Sequence, residues 1–88
     1  MYKTLKEIED LNAQGNGKSW APYIDTGEPA YSTNSLRFES KDECERYCDD
    51  LESRWVLVRN YIACVSDDEP NYYFDVNREL VSLEDVLV

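Results

Sequence analysis

The stretch from Phe38 to Val58 constrains what this chain can fold into more than any other. Ser40 is a candidate N-cap and Glu43 follows three residues later. Ser40-Lys41-Asp42-Glu43 therefore reads as a capping box, which satisfies two otherwise unpaired amides at a helix start. Beyond it Cys44, Tyr47, Cys48, Leu51, Trp55 and Val58 recur at three- and four-residue steps, which aligns them on one stripe of an α-helix. That stripe needs a core to face. Asp42, Glu45, Asp49, Asp50 and Glu52 take up the remaining surface, so one helix offers apolar bulk inward and a row of carboxylates outward.

The flanks supply what the helix packs on. Thr4 and Glu7 form a weaker capping box, and Leu5, Ile8 and Leu11 keep helical spacing as far as Gly15-Asn16-Gly17, predicting a short first helix at the edge of the domain. Residues 15 to 35 hold all three glycines and two of the three prolines, together with Trp20, Tyr23, Ile24 and Tyr31. Such a segment predicts a long ordered loop, pinned to the core by Trp20 and Tyr23. Ser35-Leu36-Arg37-Phe38 alternates polar and apolar residues and reads as a first strand. Asn60 to Ser66 has strand composition, Asp67-Asp68-Glu69-Pro70-Asn71 supplies turn chemistry, and Tyr72 to Val76 returns as a third strand in an antiparallel hairpin. The predicted fold is a single α+β domain over residues 1–88. It has a three-stranded antiparallel sheet with one main amphipathic helix on one face, a short N-terminal helix and a long ordered loop. Ser82 to Leu87 fits a short helix or an extended tail equally well.

Size and chemistry argue against catalysis. A chain of 88 residues can build one small core but not a deep active-site cavity as well. There is no histidine to serve a nucleophilic serine or to complete a metal set. A zinc site would need Cys44, Cys48 and Cys64 plus a carboxylate, and the thiols read better as reduced, buried, small hydrophobes. Gly17-Lys18-Ser19 imitates the end of a phosphate-binding loop, yet Asn12 stands where its first glycine belongs and a helix precedes it where a strand is required. Asp67, Asp68 and Glu69 lack the length and central glycine of a calcium loop. No catalytic, cofactor or metal residues are assigned, and no enzyme activity is expected. The first residues lack a secretory apolar run and no stretch of 18 apolar residues occurs, so a soluble cytoplasmic protein is the expectation.

Charge is the remaining signal. Nineteen acids against nine bases give a net charge of -10, which repels nucleic acid and anionic membranes and favours a basic partner. Seven acids lie between Glu39 and Glu52. On a helix rising about 1.5 Å per residue, Asp42, Glu45, Asp49 and Glu52 space their carboxylates at roughly 5 Å. DNA offers a phosphate about every 3.4 Å along each strand, so this flank can engage arginines and lysines that normally hold a nucleic-acid backbone. Asp50 belongs to the same row, and Asp67, Asp68 and Glu69 offer a second acidic contact. Tyr73 points opposite to Tyr72 and Phe74 on its strand and is a candidate aromatic anchor.

The segment Leu36-Arg37-Phe38-Glu39-Ser40-Lys41-Asp42-Glu43-Cys44-Glu45-Arg46-Tyr47-Cys48-Asp49-Asp50-Leu51 resembles a group of small phage and prophage proteins. The likeness continues through Arg54-Trp55, Val58-Arg59 and Ser66-Asp67-Asp68-Glu69-Pro70-Asn71-Tyr72. Small acidic phage proteins of this type look like anti-defence factors, among them anti-CRISPR proteins. The resemblance implies an inhibitor, monomeric or homodimeric, that acts in the bacterial host cytoplasm as a DNA mimic. It would block a basic nucleic-acid-binding surface of a host CRISPR effector or of another nucleic-acid-handling protein. The alternative is a small non-enzymatic adaptor, dimeric through an aromatic sheet face carrying Tyr73.

Overall fold

Helix α2 (Lys41–Arg54) begins where Ser40 places it, in a computed structural model that describes residues 2–75 and 77–83. Ser40 Oγ accepts the Glu43 amide at 3.2 Å, but the reciprocal half of the box is absent. Glu43 Oε1 instead accepts the amide of Phe74 at 2.9 Å, so a residue predicted to close the helix start ties a distant strand to it. The helix stops at Arg54. Trp55 is extended, with its N–H donating to the Leu51 carbonyl, and Val58 enters the core from the connection that follows. Val56 and Leu57 then form a turn that Val58 closes, its N–H donating to the Trp55 carbonyl at 3.2 Å. Helix α1 (Leu5–Gln14) carries the full capping box of Thr4 and Glu7 and ends at Gly15 in the left-handed conformation, φ 68°.

Among the described residues six strands accompany these helices: β1 (Tyr2–Lys3), β2 (Ser19–Asp25), β3 (Tyr31–Thr33), β4 (Asn60–Ser66), β5 (Tyr72–Phe74) and β6 (Leu80–Ser82). The expected three-stranded sheet with a single main helix is replaced by a four-stranded antiparallel sheet, order β1-β3-β2-β4, and a separate β5-β6 ribbon. The expected loop over residues 15 to 35 contains β2 and β3. Strand β2 pairs with β4 along its whole length, from Ser19 opposite Ser66 to Asp25 opposite Asn60. The expected β4–β5 hairpin does not form, because β4 spends its pairing edge on β2 and β5 pairs with β6. The predicted strand at residues 35–38 reduces to a bridge in which Trp20 and Phe38 exchange backbone hydrogen bonds of 2.7 and 2.9 Å. Of the segment from Ser82 to Leu87, Ser82 ends β6 and Leu83 is helical; residues 84–88 lie outside the described ones, as does Val76 of the predicted third strand.

Pro22 shows how a supposed breaker sits inside a strand. It lies opposite Ala63, whose carbonyl is turned outward to accept Asn12 Nδ2 at 2.9 Å. That pair therefore exchanges no ladder bond across β2 and β4, and the missing N–H of proline goes unmissed there. On its other side Pro22 falls between the Phe38 bridge at Trp20 and the start of β3 pairing at Tyr23, and its carbonyl accepts Thr33 Oγ1 at 2.7 Å. Asn12 also accepts the Val65 amide at 2.9 Å. One side-chain amide from α1 thus occupies the outer edge of β4 and blocks further pairing there.

Strand alternation sorts two cores onto the two faces of the sheet. Ile24, Ala63 and Trp20 face α2, packing with Phe38, Cys44, Cys48, Val58 and Phe74. Ala21, Tyr23 and Cys64 face α1, packing with Ile8, Tyr31 and Leu11. The helices therefore lie on opposite faces, with the β5-β6 ribbon laid against α2 through Phe74, whose ring meets Tyr47 edge-on at 5.9 Å. The thiols are divided accordingly. A hydrogen bond with Cys48, followed by burial, pushes the Cys44 thiol far up, and burial raises that of Cys64. Burial likewise raises Tyr23 and Tyr47.

These shifts set the alkaline limit of the fold. A folded-state pKa above the unfolded one gives stability that is full below the ordinary values, 9.0 for the thiols and 10.0 for the phenols, and is lost as pH rises beyond them. Urea midpoints measured from pH 7 upward should hold level and then fall above pH 9.0. A Cys44→Ala, Cys64→Ala variant should show a shallower fall, and an identical fall in both proteins would contradict the assignment.

Candidate partner-binding surface

A helix advances about 100° per residue, so Asp42, Glu45, Asp49 and Glu52 fall within an arc of about 80°, spread over about 15 Å of axis. The structure exposes all four. Asp42 meets Arg46 at 3.6 Å, a solvated pair of small energetic weight. Among the described residues no cation pairs with Glu45, Asp49 or Glu52. Their combined field reaches Tyr61 on β4, whose hydroxyl is raised first by desolvation and then by Asp49 and Glu52, with Glu45 adding to them. The row therefore borders the β4 side of the sheet, beside the neutral Tyr61.

Asp50 does not belong to that strip. It sits about 100° from Asp49 and about 20° from Glu43 around the helix, and these two inward acids hold the β5-β6 ribbon. Asp50 is buried, its side chain 10 % exposed, with Arg54 at 3.0 Å and Arg78 at 3.7 Å. Arg78 reaches it from the β5–β6 turn with φ 62°, a left-handed conformation that glycine or asparagine fills more easily. Arg46, Asp49, Asp50, Phe74, Asp75 and Arg78 line a cleft of about 160 Å³ here. Asp50 and Arg78 pair across it, so it acts as a clamp between helix and ribbon.

The second acidic group is also engaged internally. Asp68 Oδ2 accepts Arg37 Nε at 3.0 Å and Ser66 Oγ at 3.2 Å, and the Arg37 bond holds its carboxyl below the usual range. Its main-chain carbonyl accepts Ser19 Oγ at 2.7 Å. Glu69 pairs with Lys18 at 3.1 Å, while Asp67 is exposed. Asp67 and Asp68 line a cleft of about 280 Å³ with Leu11, Ala21 and Tyr23, on the α1 side of the sheet. They do not extend the α2 strip. Tyr73 is half-buried on β5 opposite Val81, facing away from the core that takes Tyr72 and Phe74.

The sequence reading missed one surface. Trp55, Val56 and Leu57 follow α2 with 42 %, 95 % and 56 % of their surface exposed. Trp55, expected in the buried stripe, lies past the helix end and is exposed. The available signal was Val56 and Leu57 themselves, which fall outside the three- and four-residue rhythm and would be apolar on the wrong side of a continued helix.

Among the described residues no helix is long and apolar enough to cross a membrane, and no group of three or more Cys, Asp and Glu side chains is placed to hold a metal ion. Comparison with protein-family models, with curated proteins and with solved structures finds no match for this chain.

Proposed function

We propose that this chain is a non-enzymatic inhibitor of the anti-CRISPR type. It would be phage-encoded, act in the host cytoplasm, and occupy a basic nucleic-acid-binding surface of a CRISPR effector so that nucleic acid is excluded. The observation that carries the anionic half of this reading is the strip of unpaired carboxylates at Glu45, Asp49 and Glu52, extended by Asp42. The other acids reckoned with them, Asp50, Asp68 and Glu69, serve ion pairs within the fold. The choice of a CRISPR effector rests on the resemblance of residues 36–72 to small phage proteins. A strip of this kind speeds encounter with a cationic groove and weakens as salt screens it.

Displacement of labelled DNA from purified CRISPR effector complexes tests the proposal. The protein should displace DNA from a susceptible effector, and less so as salt rises. Combining Glu45→Lys, Asp49→Lys and Glu52→Lys should weaken displacement by about a hundredfold with little change in melting temperature. Equal displacement by the triple variant would overturn the acidic-decoy mechanism.

A further inference from the structure

The exposed Trp55–Val56–Leu57 segment is not a frayed end. Trp55 N–H donates to Leu51 O at 2.9 Å, Val58 N–H donates to Trp55 O at 3.2 Å, and Arg59 N–H donates to Asp25 O at 2.7 Å. Val58 is 8 % exposed, so the core holds the segment immediately after Leu57. Val56 is nevertheless the most exposed large apolar side chain among the described residues. A knuckle pinned at both ends loses little conformational freedom when something covers it, the property that makes a preorganised contact effective.

Its surroundings narrow what covers it. Glu52 stands just before the knuckle and Asp49 a turn earlier, so the apolar tip continues the acidic strip of α2. Of the two cations that flank it in sequence, Arg54 is turned to Asp50 at 3.0 Å and the Arg59 guanidinium lies beside Gly27. Nucleic acid and anionic bilayers are repelled by a chain of net charge -10. A second copy carries the same net charge of -10 and would set acidic strip against acidic strip. An apolar tip beside a carboxylate row is complementary to an apolar pocket with a cationic border.

We infer that Trp55, Val56 and Leu57 anchor a protein-binding surface whose partner offers an apolar pocket rimmed by lysines or arginines. The rim rests on the proposed role of the acidic strip; the pocket does not. Two synthetic helical peptides of equal length and charge separate the two, one of leucine and lysine and one with serine in place of leucine. By fluorescence anisotropy the full chain should bind the leucine peptide at least about tenfold more tightly than the serine peptide. Val56→Ser with Leu57→Ser should bring the two affinities close together. Both positions are exposed, so circular dichroism should show an unchanged fold.

An equal preference in wild type and variant, or none in wild type, overturns the inference. If Glu45→Lys, Asp49→Lys and Glu52→Lys leaves both affinities intact while the knuckle variant removes the preference, the acidic strip fails and the anchor stands. Sedimentation showing a dimer that the knuckle variant dissolves would assign the surface to self-association and overturn the inference.

Discussion

Asp50→Lys is expected to remove about 3–5 kcal/mol of stability, whereas Asp49→Lys, one residue away, should stay within about 0.5 kcal/mol of the parent. Asp50 is nine-tenths covered and faces Arg54 at 3.0 Å and Arg78 at 3.7 Å. A lysine there gathers three cations in one partly dehydrated place and breaks the clamp that holds the β5-β6 ribbon to α2. Asp49 is exposed, so a lysine there can turn to water, away from the Arg46 and Arg78 that share its cleft. Urea denaturation of the two single variants measures the difference. Similar midpoints would show that Asp50 is as free as Asp49. The contrast matters for function, because an inhibitor weakened by Asp50→Lys would have lost its fold before its surface. Asp50→Asn should cost less than the lysine, since Arg54 and Arg78 are largely exposed and can be hydrated when their partner is neutral.

Placing Asp50 in the outward row with Asp49 overlooks the 100° step between them, which sets only Asp50 near Glu43. Both helix starts were legible in the sequence, because a cap is a contract between residues three apart: Thr4 with Glu7, Ser40 with Glu43. What escaped was pairing at long range. The acceptability of Pro22 in β2 depends on Ala63 turning its carbonyl to Asn12, so a local inventory of breakers reads loop where a strand forms. The segment from Asp67 to Asn71 does bend, at Asp67 and Asp68, but turn chemistry does not say which strands pair. β4 finds a seven-residue partner in β2, while β5 offers only three residues. Asp68 and Glu69 read as free acids because their partners, Arg37 and Lys18, lie far back along the chain.

Gly17→Ala is expected to destabilise the fold by about 3 kcal/mol, although a motif reading gives that glycine only a failed phosphate loop. A Cβ at position 17 would lie 2.1 Å from Val65 Cγ2 and 2.9 Å from the carbonyl oxygen of Ser66. The chain passes so close to β4 because Lys18 N–H donates to that same Ser66 carbonyl at 2.8 Å and Ser19, 1 % exposed, donates to the Asp68 carbonyl. Gly17-Lys18-Ser19 is thus the seam that starts the β2–β4 ladder, and an added methyl must push it open. Gly15→Ala provides the contrast. Its Cβ meets nothing within 4 Å, so only its φ of 68° opposes the change, a penalty of about 1 kcal/mol. Val65→Ala in the Gly17→Ala background removes the shorter clash but leaves the carbonyl contact, so denaturation midpoints should recover in part. The two substitutions should therefore be less destabilising together than their sum. Simple additivity would mean that the strand seam, and with it the placement of β2 against β4, is not where the structure puts it.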